Sequence, residues 1–256
     1  MTDKAFFRRE GETFVPLPPA RGFWSDDSIH GSAVTGLIAS EIERRHGTTG
    51  MIPARFNADL HRMARLRPVT VETRVIRDST RLRLVEASLL CEGEELARAQ
   101  CQFLRPAEHP AGRVWPGVPG WSVPAPETLP PDTEPFRMGL AEWRLISGDF
   151  GTYGPRQMWL RQFATVIAGE PMSPFVRVAV MADFSSPWLH SADTGIVFIN
   201  TDVVVQLHRL PEDEWVGLEA MVHDGSQGIA VGACRLYDQA GSIGFVNVTG
   251  LANSRR

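Results

Sequence analysis

An ordered internal repeat constrains this chain more than any motif it carries. Asn57, Ala58 and Asp59 open an extended segment in the first half, and Asn200, Thr201 and Asp202 open one in the second. Further on, Arg77 to Leu90 lines up with His223 to Leu236, with Asp78-Ser79-Thr80 facing Asp224-Gly225-Ser226 at the turn. Self-similarity at a fixed period is the signature of repeated structural units. Two copies of one small domain in one chain imply a fused pair, in which one copy can lose its chemistry while the other keeps it.

The chain has 256 residues, 43% of them hydrophobic, which is enough for one large domain or two small ones. A net charge of −4 argues against an electrostatic nucleic-acid footprint, which needs a clustered basic surface. The densest basic stretch, Arg62, Arg65 and Arg67, reads as a solvated strand edge. Cys91, Cys101 and Cys234 are odd in number and widely spaced, so neither a disulfide framework nor a paired-cysteine zinc site is expected, and no metal is implied. Met1 to Glu10 lacks the apolar stretch of a secretory signal, and no apolar run approaches the ~20 residues of a membrane-spanning helix. These features point to a cytoplasmic protein with neither membrane nor nucleic-acid partners.

From Pro106 to Pro135 prolines recur every few residues, so a regular helix or inner strand is excluded there. This predicts domains at 1–105 and 136–256, joined by a linker over 106–135. Trp115 and Trp121 within it are too large and apolar to remain in water, which predicts an ordered strap. In the first half, Asp26-Asp27-Ser28 offers capping side chains for a helix over Gly31 to Arg45, ended by Gly47. Its apolar residues Val34, Leu37, Ile38 and Ile42 form one buried stripe, flanked by Glu41, Glu43, Arg44 and Arg45. The period then changes to two, as in Val69, Val71, Thr73 and Val75, which describes an antiparallel sheet with one covered face. The second half repeats the order: strands at Trp143 to Ile146 and Met158 to Phe163, a helix from Pro174 to about Phe184, then strands from Ile196 onward with turns at Asp224-Gly225 and Ala240-Gly241. The fold class is therefore α+β: a double hotdog, with two antiparallel sheets each wrapped around a central helix.

The stretches Ala182-Asp183-Phe184 with Trp188-Leu189, Ile199-Asn200-Thr201-Asp202 with Leu207-His208-Arg209, Glu214-Trp215, and Leu236-Tyr237-Asp238 with Gly241 make the chain resemble the double-hotdog acyl-CoA thioesterases. The resemblance implies a substrate that is an acyl-CoA or another acyl thioester, hydrolysis without a cofactor, a role in lipid metabolism, and a homodimer. In that family an aspartate near the end of the second helix, a serine or threonine on the following strand and a glutamine on a late strand orient the hydrolytic water. Asp183 matches the first. At the second, the residue two before the strand aspartate is Asn200 and Thr201 sits one place off; either the Asn200 amide replaces the hydroxyl, or a local bulge brings Thr201 into register. Alternation puts Asn200 and Asp202 on one face. The glutamine position falls near Val248 or Thr249, of which Thr249 could still contact water, while Gln227 follows a turn and faces solvent. In the first half Ser40 matches Asp183 and Ala58 matches Thr201, so that repeat lacks its own catalytic set.

Ligand contacts are expected from His30 and Gly31, whose helix-entry amides could approach a carbonyl, and from Trp159 and Arg161 as a stacking face and a phosphate contact for coenzyme A. His208 and His223 read as packing residues. Two rivals to hydrolysis stand: an enoyl-CoA hydratase of the same fold, for which Asp26, Asp27 and His30 offer an acid–base set, and an acyl-binding protein that has lost the reaction. Gly225-Ser226-Gln227-Gly228 lacks nucleophile-elbow spacing, which disfavours a serine hydrolase.

Overall fold

The repeat takes shape as two helix-and-sheet units that share one sheet. The computed structural model describes residues 4–22, 25–114, 122–131 and 140–253. The first half comprises β1 (Ala5–Glu10), β2 (Thr13–Pro16), α1 (Gly31–His46), β3 (Ile52–Leu60), β4 (Val69–Asp78), β5 (Leu82–Cys91) and β6 (Glu94–Leu104). The second comprises β7 (Ala141–Ser147), β8 (Gln157–Gln162), β9 (Thr165–Ile167), α2 (Pro174–Asp183), α3 (Ser185–His190), β10 (Ser191–Ala192), β11 (Gly195–Ile196), β12 (Phe198–Asn200), β13 (Asp202–Leu207), β14 (Trp215–Ser226), β15 (Ile229–Asp238) and β16 (Gly241–Ala252).

The α+β double-hotdog expectation holds, with one change: its two antiparallel sheets are continuous. A single 14-stranded sheet runs β7-β8-β14-β15-β16-β13-β3-β6-β5-β4-β2-β1-β9, with β12 also on β16, because β13 of one half pairs antiparallel with β3 of the other. The junction is made of the repeated segments themselves: Asp202 stands directly opposite Asp59. These two residues are separated along the chain by the same interval as Gly31 and Pro174, the first residues of α1 and α2, so a pseudo-two-fold axis passes between them. The N-terminal strand crosses over as well, since β1 pairs in parallel with β9 of the second half.

The helices lie antiparallel to each other and pack against this sheet, with Ser32 at the start of α1 meeting Asp183 at the end of α2 and Glu43 near the end of α1 meeting Ser173 at the start of α2. On α1 the stripe Val34, Leu37, Ile38 and Ile42 is buried, as its spacing demands, and each such side chain removed from water contributes about 1.5–3 kcal/mol. The opposite side of α1 is covered by α2: the Thr35 hydroxyl donates to the Ala179 carbonyl at 2.9 Å. Glu41 is therefore not the solvent-facing flank its charge suggests. Its side chain is 0% exposed and accepts from Arg9 at 2.7 Å, Arg44 at 2.8 Å and Arg45 at 2.9 Å, while Arg9 also holds Glu170 at 2.6 Å. Strand β1, helix α1 and the turn after β9 are tied together through this one carboxylate.

Three local expectations change. Asp26-Asp27-Ser28 does not cap α1, because the Ser28 hydroxyl donates to the Ser25 carbonyl at 2.7 Å to close a turn of its own, and Asp27 pairs with Arg65. The cap is His30, whose ring Nδ1 accepts from the Ala33 N–H at 3.1 Å. The hairpin turn expected at Asp224-Gly225 lies at Gln227-Gly228, both with positive φ, and β14 runs through to Ser226. The basic trio is solvated as expected but lies in the loop between β3 and β4 and not on a strand edge; there Arg62, Arg65 and Arg67 pair with Glu94, Asp27 and Glu92. In the proline-rich connection, Trp115 and Trp121 lie outside the described residues. The stretch 122–131 is docked on the second half, where the Pro124 carbonyl accepts from Trp159 Nε1 at 2.8 Å and Val123 and Leu129 pack on Trp159, Trp215 and Tyr237.

Candidate active site

Asp183 ends α2 at the point where the antiparallel partner helix α1 begins. Its carboxylate accepts from Asn200 Nδ2 at 2.9 Å on one oxygen and from the Ser32 hydroxyl at 2.9 Å on the other, with the Ser32 N–H as a further donor. A Cβ at Gly31 would stand 2.2 Å from Asp183 Oδ1, so only glycine lets the carboxylate approach the first turn of α1. The residue is 9% exposed, and that small exposure faces a cavity. Burial raises the carboxyl pKa, and the bonds from Asn200 and Ser32 counter the rise by favouring the ionised form. The result is a carboxylate more basic than one in water, with its lone pairs fixed in direction.

The cavity has a volume of about 430 Å³. Phe6, Phe150, Leu160, Val180, Phe184 and Phe198 give it a largely apolar wall, and Asp183, Asn200, Ser32, His30 and Gly31 converge at one place on it. This is the pattern of a small-molecule site: mostly apolar surface and a few placed polar groups. His30 lines it but has no free nitrogen, since Nδ1 accepts from Ala33 N–H and Nε2 therefore carries the proton that reaches the Pro19 carbonyl at 3.2 Å.

Comparison with known proteins identifies the family to which this fold belongs. Residues 20–104 match the family model of the acyl-CoA thioesterase N-terminal domain, and residues 103–247 match that of the acyl-CoA thioesterase C-terminal domain. The chain belongs to the acyl-CoA thioesterase family. Its fold is shared by the TesB protein of Mycobacterium avium subsp. paratuberculosis (TM-score 0.71, 16% identity, 96% of each chain covered). It is also shared by acyl-CoA thioesterase II TesB2 of Mycobacterium marinum (TM-score 0.66, 16% identity, 96% of this chain and 95% of that one). A hot dog fold protein of unknown function from Alicyclobacillus acidocaldarius superposes with a TM-score of 0.75 at 16% identity, covering 99% of this chain and 98% of that one. No curated protein matches the chain.

The other candidate residues of this thioesterase lie elsewhere. Thr201 and Asp202 both stand opposite Thr249: the Thr201 N–H donates to the Thr249 carbonyl at 2.9 Å, and the Thr249 N–H donates to Asp202 Oδ1 at 2.6 Å. Two residues against one is a β-bulge, and it reverses the alternation, so Asn200 faces the helices while Asp202 does not share its face. Thr249, between the inward Val248 and Gly250, points away from the helices too. Neither threonine reaches Asp183. The hydroxyl beside the aspartate comes instead from Ser32 of the other half, which the sequence reading missed; its signal was a small polar residue directly after the helix-entry glycine. On β8, Leu160 and Gln162 line the cavity, so Trp159 and Arg161 occupy the opposite face. There Trp159 packs edge-on against Tyr237 and Arg161 binds Glu142 at 2.6 Å, an arrangement that serves the second core rather than a ligand in this cavity.

Replacing Ser32 by Ala should remove a donor that favours the ionised carboxylate. The acid limb of kcat/KM is then expected to move to higher pH. A pH–rate profile with the limb unmoved would show that the Ser32 bond does not bear on the reacting group.

His190, at the end of α3, is 1% exposed and lies over Gly250, the residue paired with Asn200. Among the described residues neither ring nitrogen makes a hydrogen bond of good geometry, although the ring lies near the Val248 carbonyl. Burial, with His223 beside it, lowers its pKa from 6.5 to about 4. The unfolded chain therefore takes up this proton first as pH falls, so the group's contribution is full above pH 6.5 and declines between 6.5 and about 4. The loss should amount to about 3 kcal/mol. Urea midpoints of wild type and His190→Gln, compared at pH 7 and pH 4.5, isolate it: the wild type should lose more stability than the variant over that interval.

Proposed function

We propose that the chain hydrolyses an acyl-CoA with an apolar acyl group, using Asp183 as general base. The observation that carries this is the convergence of Asp183, Asn200 and Ser32 on one wall of an apolar cavity at the entry of α1. Asp183 takes a proton from water, the oxygen of that water bonds to the thioester carbonyl carbon, and the carbonyl oxygen becomes an oxyanion. The entry of α1, with the Gly31 N–H and the positive end of the helix dipole, is where that charge is stabilised. Collapse breaks the C–S bond, the proton held on Asp183 passes to the departing thiolate, and the products are a carboxylic acid and free thiol. Asn200 and Ser32 hold the carboxylate in the orientation that the attack requires.

Hydration of an enoyl thioester is less well supported, because it calls for a histidine able to exchange protons and both nitrogens of His30 are held by backbone. Free-thiol release on a panel of acyl-CoAs tests the reading: hydrolysis is expected, and binding without release of thiol would leave an acyl-binding protein instead. The same reading places the enzyme in the lipid metabolism of the cytoplasm, in keeping with its three free cysteines, and as a homodimer. The dimer is supported by Val222, Ile229, Val231, Phe245 and Leu251, which stand 40–57% exposed together on the outer face of β14 to β16. Sedimentation of the purified chain checks it.

A further inference from the structure

Most arginines among the described residues are paired with a carboxylate or a backbone carbonyl, as in the clusters around Glu41, Glu142 and Asp238. Arg21 is different. It lines the cavity, is exposed, and within the described residues has neither an ion pair nor a side-chain hydrogen bond. Its backbone is nevertheless held on both sides: the Arg21 N–H donates to the Pro18 carbonyl at 3.2 Å, Arg21 bridges to Ile29, and the adjacent Gly22 N–H donates to the Ser28 carbonyl at 2.6 Å. The guanidinium thus hangs from a fixed frame beside His30 and the positive end of α1. Among the described residues lining the cavity the one carboxylate is Asp183, and its oxygens are already engaged by Asn200 and Ser32. A chain of net charge −4 therefore presents an unneutralised cation at its apolar cavity.

We infer that Arg21 is a specificity-determining residue that recognises an anionic group on the thioester substrate. A guanidinium fits either of two sources of that charge, a phosphate of the carrier or a carboxylate on the acyl chain, since both offer paired oxygens to its planar fork. The inference deepens the proposed function by assigning a charge to the substrate, and it rests on that reading for the identity of the thioester.

The test compares wild type, Arg21→Gln and Arg21→Lys on four thioesters: an acyl-CoA, the same acyl group on N-acetylcysteamine, and the ω-carboxylated counterpart of each. Arg21→Gln should lower kcat/KM about tenfold on the anionic substrate, with the loss carried by KM, and Arg21→Lys should recover part of it. Raising the salt concentration should weaken wild type toward Arg21→Gln, as expected for a solvent-accessible charge pair. A loss seen on both CoA thioesters and absent from the plain N-acetylcysteamine thioester assigns the anion to the carrier phosphates. A loss confined to the ω-carboxylated substrates assigns it to the acyl carboxylate. An equal loss on the neutral thioester, or no loss on any of the four, overturns the inference. Calorimetric binding of a non-hydrolysable ω-carboxyacyl-CoA thioether, which carries both anions, to the same variants separates the two claims: weaker binding to Arg21→Gln with no turnover by any form would sink the hydrolase reading and leave this one standing, whereas equal binding with turnover intact would do the reverse.

Discussion

Replacing Asp183 by Asn should lower kcat/KM for acyl-CoA hydrolysis by about 10²- to 10⁴-fold, the range that a positioned proton acceptor contributes. The amide keeps the size and planarity of the carboxyl group, so Gly31 still admits it and the cavity keeps its wall. What it loses is the capacity to accept a proton, together with one of the two contacts to Asn200 and Ser32, because an amide offers one acceptor where the carboxylate offers two. Stability should respond the other way. Burial raises the Asp183 pKa, which means that the folded state carries a cost for holding this charge, and a neutral side chain escapes it. Turnover by thiol release and the Tm of the variant are therefore to be measured together: the expected pair is lost turnover with an undiminished Tm. Unchanged turnover would remove Asp183 from the mechanism.

A stability effect as large as that at His190 is expected at Glu41. Burial alone would raise its pKa, but the hydrogen bonds from Arg44 and Arg9 and their charges outweigh that and hold it down from 4.5 to about 2. The sign follows: the unfolded chain binds the proton more readily, so the stabilisation is complete above pH 4.5 and is lost as pH falls toward about 2. Glu41→Gln imitates the protonated state at every pH and should cost about 3 kcal/mol near neutrality. Urea denaturation should show the deficit at pH 7 and a smaller difference between wild type and variant at pH 3. A deficit that does not narrow on acidification would point to packing rather than charge.

Much of the architecture is legible in the residues because hydrophobic periodicity reports directly on burial. The stripe on α1 and the alternation that buries Val69 and Val71 on β4 required no tertiary information. Glu41 was not legible, since a charged side chain reads as solvent-facing until three arginines distant in sequence or on the next turn are seen to surround it. The α1 cap was hidden for a related reason: the side chain of Ser28 closes its own turn, and an imidazole took the capping place. Asp183 and Asn200 could be found from a resemblance in motif order. Ser32 could not, because its partner lies in the other repeat, and the bulge at Thr201 depends on how β16 meets β12 and β13 rather than on any local turn residue. Trp159 and Arg161 were read from the wrong face of β8 for lack of a phase: alternation shows which residues travel together and is silent on which set looks inward.

The axis between Asp59 and Asp202 carries a consequence for how such a chain can change. Under its symmetry Gly31 and Ser32 correspond to Pro174 and Phe175, and Asp183 corresponds to Ser40. A pair built from two second halves would set Asp183 against proline and phenylalanine, and a pair built from two first halves would set glycine and serine against Ser40. Neither symmetric assembly reconstitutes the trio, so the arrangement needs two unlike halves, which the fusion keeps together in one chain.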